Sequence, residues 1–455
     1  MKKKLLMKAS LALMLCLLFA VSAYAEVTTT YGINFRLRQE TWDNLFDINR
    51  IDVTSNSPVF TRPDDNYFRL KTSPWFKAAV DDQYVFYTKL TNEARYFMET
   101  SSQTSRPAGL NPDEVVFDNL YASAKNIAGS PVDLTIGRQD LLTYGEGFLI
   151  MDGTPVDGSR TYYFNAAKGV VKFGDKTSVD LIWITDQFND RALPSLYDDE
   201  WKRQLNTTDE QGAVVYGRTK IGETLNLEPY YIFKREQTTP LPYGGRGALK
   251  LNTVGARAVY GFGTGWNLRG EFAHQFGSYE NGDDRTGDGG YAYISRKYEE
   301  VTLKPYFELG GAYLSGDDPK TTNKVEAWDP LFSRWPWMSE LYVLSYGTET
   351  GIVGYWTNLQ LYRASFRLSL DPETGLDLSY NYLRANENSH VSTAPPIYSA
   401  DGKDRGSLIQ AKLSHTFSKT VDGYFLLEDF VPGNYYVPTN RDNAMFVRWE
   451  LQWKI

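Results

Sequence analysis

The carboxyl-terminal stretch from Met445 to Ile455 alternates with period two. Met445, Val447, Trp449, Leu451, Trp453 and Ile455 are apolar, and Phe446, Arg448, Glu450, Gln452 and Lys454 stand between them. Successive side chains of a strand point to opposite faces, so the pattern predicts a ribbon with one oily and one wet face. Near the other end, Tyr31, Ile33, Phe35 and Leu37 alternate with Asn34, Arg36, Arg38 and Glu40 in the same way. Phe68, Leu70, Phe76, Ala78 and Val80 then oppose Arg69, Lys71, Ser73 and Lys77. After Asp81-Asp82-Gln83, Phe86, Leu90, Ala94 and Tyr96 oppose Lys89, Glu93 and Arg95. Two alternating runs joined by so few polar residues predict a hairpin.

Short turns recur near Asn126–Pro131, Gly174–Ser178, Gly222–Thr224, Gly261–Gly265, Lys297–Glu300, Asp371–Gly375 and Lys419–Gly423, the one at Lys297 being the weakest. With Asp81–Gln83 these eight turns give sixteen strands, and the first and last strands bring the number to eighteen. Nine long connections rich in Asp, Asn, Gly, Pro and Ser fall near 42–66, 99–114, 141–162, 188–211, 236–249, 278–289, 315–357, 387–405 and 431–442. Short turns on one rim and long loops on the other are the asymmetry of a membrane barrel. The expected fold is therefore all-β: a single transmembrane antiparallel barrel of about 18 strands, with short periplasmic turns and long extracellular loops.

The first residues change what the mature chain can hold. Lys2, Lys3, Lys4 and Lys8 precede an apolar run from Leu11 to Val21 and the small-residue site Ala23-Tyr24-Ala25. This reads as a secretory signal, residues 1–25, cut near Ala25-Glu26, leaving 26–455 as the barrel. The only cysteine, Cys16, lies inside it behind Leu15, where lipid attachment wants a small residue. A mature chain without cysteine excludes disulfides, thiolate metal sites and cysteine nucleophiles. Without the four leader lysines, 44 basic residues face 56 acidic ones, a balance that excludes a general nucleic-acid binder. No run approaches the ~20 apolar residues of a membrane helix.

If the oily phase faces lipid, the other phase lines a lumen. On the clearer strands that phase carries Arg36, Arg38, Arg69, Lys71, Lys77, Lys89, Arg95, Lys172, Arg257, Arg269, Arg363, Arg367, Lys412, Arg448 and Lys454, against Glu40, Glu93, Glu228, Glu271, Asp377 and Glu450. Fifteen basic residues to six acidic ones in an acidic chain point to a conduit for an anionic solute, since charge of one sign in a low-dielectric tunnel concentrates the opposite ion. The structural reading, in which Arg–Glu ladders only brace the wall, stays open beside it. The negative excess is then expected in loops, at Asp283, Asp284, Asp288, Asp317 and Asp318. Carboxylates at 283, 284 and 288 lack a complete calcium ligand set, and a solvated acidic loop is the expectation. The longest loop holds Trp328, Pro330, Phe332, Trp335, Pro336, Trp337 and Met338. Its rings either fold inward, narrowing a pore or stacking on sugars, or pack on the rim. Catalysis is not expected: the three histidines are His274, His390 and His415, and neither Gly-x-Ser-x-Gly nor His-Glu-x-x-His occurs.

Several stretches in order resemble the alginate export family of outer-membrane porins. They are Gly137-Arg138-Gln139, Tyr144-Gly145-Glu146, and Arg160 with Tyr163-Phe164-Asn165-Ala166-Ala167. Later come Glu271 to Gly277, Ser315-Gly316-Asp317 and Asn358-Leu359. The resemblance spans roughly Thr30 to Ile455 and implies a single eighteen-stranded barrel with an arginine-rich lumen that secretes an acidic polysaccharide. Counting from Leu134 and Ile136, Arg138 falls in the lipid-facing phase, so it is expected where the strand has given way to loop. The expected conducting wall is Arg36, Arg38, Arg69, Lys71, Lys89, Glu93, Arg95, Arg269, Glu271, Arg363 and Arg367, with Arg138, Arg160, Trp335 and Trp337 at a mouth or constriction. No cofactor and no metal are expected. The expected partners are outer-membrane lipid, an anionic polysaccharide or small anionic solute, and a periplasmic export partner. The alternatives are a general or small-solute porin of the same fold, and a structural barrel docking another envelope protein.

Overall fold

The computed structural model describes residues 26–44, 50–52, 57–59, 65–99, 108–152, 164–188, 193, 197–198, 208–238, 243–389, 391 and 396–455. The proposed signal segment, Arg160 and His390 lie outside them. Eighteen long strands form the wall. They are β1 (Val27–Asp43), β2 (Asp65–Val80), β3 (Tyr84–Phe97), β4 (Gly109–Ala124), β5 (Val132–Gln139), β6 (Phe164–Phe173), β7 (Thr177–Asp186), β8 (Glu210–Ile221) and β9 (Leu225–Glu236), followed by β10 (Leu249–Phe262), β11 (Trp266–Tyr279), β12 (Asp284–Lys297), β13 (Tyr306–Leu314), β14 (Leu359–Ser369), β15 (Thr374–Arg384), β16 (Asp404–Ser418), β17 (Val421–Pro432) and β18 (Ala444–Lys454). Each pairs antiparallel with its neighbours, and β1 pairs with β2 on one side and with β18 on the other. The sheet is thus a closed eighteen-stranded barrel, the one sheet form that leaves no edge unpaired in lipid.

All eight short turns fall where the polar dipeptides and glycines place them. Asp81 and Asp82 both take positive φ, 49° and 53°, the twist that a tight hairpin needs. The weakly signalled turn at Lys297 is the longest of the eight, because β12 ends at Lys297 and β13 begins only at Tyr306. One long connection was misplaced. The expected loop 278–289 shrinks to a short hairpin between Tyr279 and Asp284, and Asp284 and Asp288 belong to β12.

The alternation sorts side chains as expected for a wall between two solvents. Phe272 and Leu309 are each 59 % exposed on the outside, whereas Arg38 and Glu40 are 0 % exposed on the inside. Among the described residues no helix is long and apolar enough to cross a membrane, and the crossing is made by strands. The apolar core is unusual in position. Leu149, Ile150, Met151, Trp328, Leu331, Phe332, Leu341 and Trp356 are all buried, and all belong to the connections after β5 and after β13. Both connections fold into the barrel. The second carries the short helix α1 (Glu340–Thr350), started by Ser339, whose Oγ accepts from the Tyr342 N–H at 2.8 Å. Gly351 stops it with φ 75°, a left-handed conformation that favours glycine.

Candidate functional site: a lumen narrowed by two inserted segments

An eighteen-stranded barrel leaves room for an aqueous channel unless something fills it. Here the segment 315–358 spans the interior. At one end the Asp329 carboxylate meets Lys234 Nζ at 3.4 Å and accepts from the Tyr355 hydroxyl at 3.0 Å. Gln275 donates to the Asp329 carbonyl at 2.7 Å and accepts from its N–H at 2.9 Å, and Arg334 pairs with Glu210 at 3.0 Å. These partners stand on β8, β9 and β11. At the other end Arg405 of β16 holds Glu349 of α1 at 2.7 Å, and Arg448 of β18 holds Glu340 at 3.1 Å. The Glu428 carboxylate of β17 accepts from the Ser339 hydroxyl at 2.7 Å and from the Leu341 N–H at 2.8 Å, an anion at the positive end of a helix. In a ring of eighteen, β9 and β17 are eight strands apart, so the segment bridges opposed arcs of the wall.

The first inserted segment, 140–152, packs against the second. Phe332 donates to the Ile150 carbonyl at 3.1 Å, Ser333 Oγ to the Gly147 carbonyl at 2.8 Å, and Phe148 stacks on Trp337 with centroids 3.7 Å apart. Its Glu146 accepts from Arg269 at 2.5 Å and lies 3.6 Å from Arg257. Tyr144 donates to Asp180 at 2.5 Å. Of the two readings of the aromatic loop, the inward one describes this arrangement: Trp328 and Trp356 are buried, and Trp335 and Trp337 are half-buried.

Beneath Trp335–Glu340 lies a cavity of about 440 Å³. Arg269, Arg363, Arg367, Lys412 and Arg448 reach it, as do Glu308, Glu340, Asp377 and Glu428. Arg269 pairs with Glu308, and Arg367 with Asp377. Arg363 donates to the Asn381 side chain at 2.9 Å, and Lys412 sits 4.1 Å from the Tyr424 ring centroid. Neither of these two cations forms an ion pair among the described residues.

The remaining expected wall residues cluster on β1–β3 and its neighbours. Arg38 lies 3.2 Å from Glu40 and 3.6 Å from Glu450, and Arg36 lies 3.9 Å from Glu450. Arg69 reaches Glu40 and Glu93, both at 3.1 Å, and Arg448 reaches Glu40 at 2.6 Å. Arg95 is 3.8 Å from Glu93, Lys89 is 3.0 Å from Asp118, and Lys71 is buried in the same tier. The β1–β3 arc is a ladder of alternating charge, the bracing arrangement. Glu271 stands apart from it on β11 and accepts from the Tyr230 hydroxyl at 2.8 Å.

Two expectations need correction. Arg138 is not in the loop: it is inside β5, buried, donating to Asn165 at 3.0 Å and to the Phe117 carbonyl at 3.0 Å. Gly137, at φ 126°, breaks the alternation and turns Arg138 inward. The ratio of fifteen to six was also incomplete. Asp118, Asp180, Asp186, Glu210, Glu236, Glu308 and Glu428 are buried acidic residues of the wall strands. Glu210 and Glu236 fall within the expected loops 188–211 and 236–249 but stand on β8 and β9, and β4 is irregular, with register shifts against β3. The sequence signal missed most completely is glycine. A Cβ on Gly289 would meet the Trp328 ring at 2.6 Å, and one on Gly212 would meet Phe332 at 2.4 Å. Bare backbone on the inner wall marks where another segment lies against it.

The family model for alginate export matches residues 49–448. A comparison with curated protein sequences returns no match. Among solved structures the chain is similar to Pseudomonas aeruginosa OpdL, with a TM-score of 0.56 and 9% identity over 94% of this chain and 98% of that one. It is also similar to P. aeruginosa OccK11 (OpdR), with a TM-score of 0.55, 9% identity, and 94% and 96% coverage. Acinetobacter baumannii OccAB2 gives a TM-score of 0.55, 11% identity, and 94% and 98% coverage. At such identities these structures share the fold. The family match covers far more than half of the chain, and the closed barrel with its oily outer face is that of an outer-membrane channel. The protein belongs to the alginate export family.

Proposed function

We propose that the channel passes small anionic solutes by passive flow, and that an acidic polysaccharide crosses only when the segment 315–358 is displaced. The observation that carries this reading is the cavity under Trp335–Glu340, whose volume of about 440 Å³ suits one small ligand rather than an extended chain. Arg363 and Lys412, which form no ion pair among the described residues although Glu308 and Asp377 line the same cavity, bias it toward anions, and in a low-dielectric passage such charges act strongly on a passing ion. Arg36, Arg38, Arg69, Lys71, Lys89, Glu93 and Arg95 form the braced arc of the conducting wall in this proposal, and Arg269, Glu271, Arg363 and Arg367 its opposite side. Trp335 and Trp337 form the constriction, Arg138 stands on the wall beside it, and Arg160 is assigned to the mouth. The leader is cut near Ala25-Glu26, and no chemical step is involved.

Flux into liposomes carrying the purified protein tests the reading. A uronate monomer should enter faster than a neutral hexose of the same size, and Arg363→Ala with Lys412→Ala should abolish the difference. A long polyuronate should be excluded until residues 327–350 are replaced by a short linker. Equal rates for charged and neutral monomers, or polymer flux through the intact protein, contradict the proposal.

A further inference from the structure

The outer face carries a charged row that the transport reading does not use. Arg235, one residue before the end of β9, stands directly opposite Lys250, the second residue of β10. Gln211 of β8 is the register partner of Arg235 on one side, and Ser278 of β11 is that of Lys250 on the other. All four side chains are exposed, in the phase of the outward Tyr231, Val254 and Phe276. The ends of β9 and β10 here meet a long connection, so the row stands at the extracellular rim.

Paired residues on neighbouring antiparallel strands have Cα atoms about 5 Å apart, and like charges so placed repel. Among the described residues neither Arg235 nor Lys250 has an ion pair or side-chain hydrogen bond, and the carboxylates diagonal to them, Asp209 and Glu280, accept instead from the Phe188 N–H at 2.8 Å and the Ala248 N–H at 3.2 Å. Just below the pair, toward the barrel's middle, lie Phe233, Tyr231 and Phe276, with the Tyr231 hydroxyl donating to Asn252 at 2.7 Å. Aromatic rings of this kind mark the level of lipid headgroups. Two unpaired cations immediately above that level face the headgroups of the outer leaflet.

We propose that Arg235 and Lys250, flanked by Gln211 and Ser278, bind the phosphate of an anionic glycolipid in the outer leaflet. Arg235 offers a planar fork to two phosphate oxygens, and Lys250 adds a second point charge. Gln211 and Ser278 supply neutral donors on either side. The bridging anion turns a repulsive cross-strand pair into an attractive one, so the site is satisfied only with lipid present.

Native mass spectrometry of the detergent-solubilised full chain, titrated with a bis-phosphorylated lipid A glycolipid, tests this. The native protein should retain bound glycolipid, and Arg235→Gln with Lys250→Gln should bind roughly thirtyfold more weakly, each charge near a membrane surface carrying about a fivefold effect. Conductance of that double variant should be unchanged, since neither residue faces the lumen, which establishes that it has folded. Equal binding by the variant overturns the proposal, as does equal binding of the dephosphorylated glycolipid. Inorganic phosphate alone should not raise Tm at millimolar concentration. A Tm rise with phosphate that Arg235→Gln with Lys250→Gln abolishes would show a free-anion site and overturn the assignment to lipid.

Discussion

Replacing Asp329 by Ala should loosen the inserted segment at its most buried anchor. The carboxylate is fully buried, and it accepts from the Leu331 N–H at 2.7 Å and the Tyr355 hydroxyl at 3.0 Å while facing Lys234 at 3.4 Å and Arg285 at 3.9 Å. Burial alone would raise its pKa, but Lys234, Arg285 and Arg334 hold it below the ordinary carboxylate range. A depressed pKa means that the anchoring free energy is present above about pH 4 and is lost only as pH falls through the lower folded value. Breaking a buried pair from one side costs ~3–5 kcal/mol. Lys234 keeps Glu210 at 3.3 Å and its contact with Glu236, so the low end, ~3 kcal/mol, is appropriate. That shifts the equilibrium between seated and released segment by about a hundredfold. Single-channel recordings should then show frequent steps to a higher conductance, and limited proteolysis should cut within 315–358 in the variant alone. Unchanged conductance together with unchanged protease resistance would refute the idea that Asp329 seats a lumen-blocking segment.

Other expectations follow from the same geometry. Arg363→Glu with Arg367→Glu, which replaces two cavity cations by anions, should move the reversal potential under a salt gradient toward the cation side; an unchanged potential would remove both residues from the conducting path. Burial first, and Asp118 beside it, raise the Asp140 carboxyl just beyond β5 to about 6, although Lys89 3.9 Å away opposes the shift. A raised folded pKa makes its stability contribution largest at low pH and lost as pH rises through about 6. Between pH 7 and pH 5 the native channel should therefore gain anion preference as this charge is neutralised, whereas Asp140→Asn should show a flatter profile. Phe272→Lys, on the exposed face near the middle of β11, should destabilise the barrel in liposomes by ~2–4 kcal/mol in a urea titration.

The barrel was legible because its signals are local. Period-two alternation and turn residues such as Asp81-Asp82 or Gly222 report on neighbours in sequence, and the wall is built from sequential hairpins. The interior was less legible because it depends on contacts between distant segments. Ser333 donates to Gly147 across 186 positions, and no periodicity encodes such a meeting. The stretch 278–289, with Asn281-Gly282-Asp283-Asp284, reads as a loop by composition. In the structure Gly287 and Gly289 are wall positions kept bare for Ala327 and Trp328. Arg138 was misplaced for a related reason: one glycine at positive φ inverted the phase on which the assignment depended. The cations on β1–β3 were visible as a type, but their partners come from β3, β4 and β18, and that pairing decides whether each braces the wall or faces a solute.

The most direct measurement of the central claim is the zero-current potential of the native protein in a planar bilayer under a tenfold potassium chloride gradient. A narrow passage in which Arg363 and Lys412 form no ion pair among the described residues predicts a potential of the sign set by chloride, with a conductance well below that of the variant lacking residues 327–350. A potential at zero or of the sign set by potassium, or equal conductance in the two proteins, would contradict it.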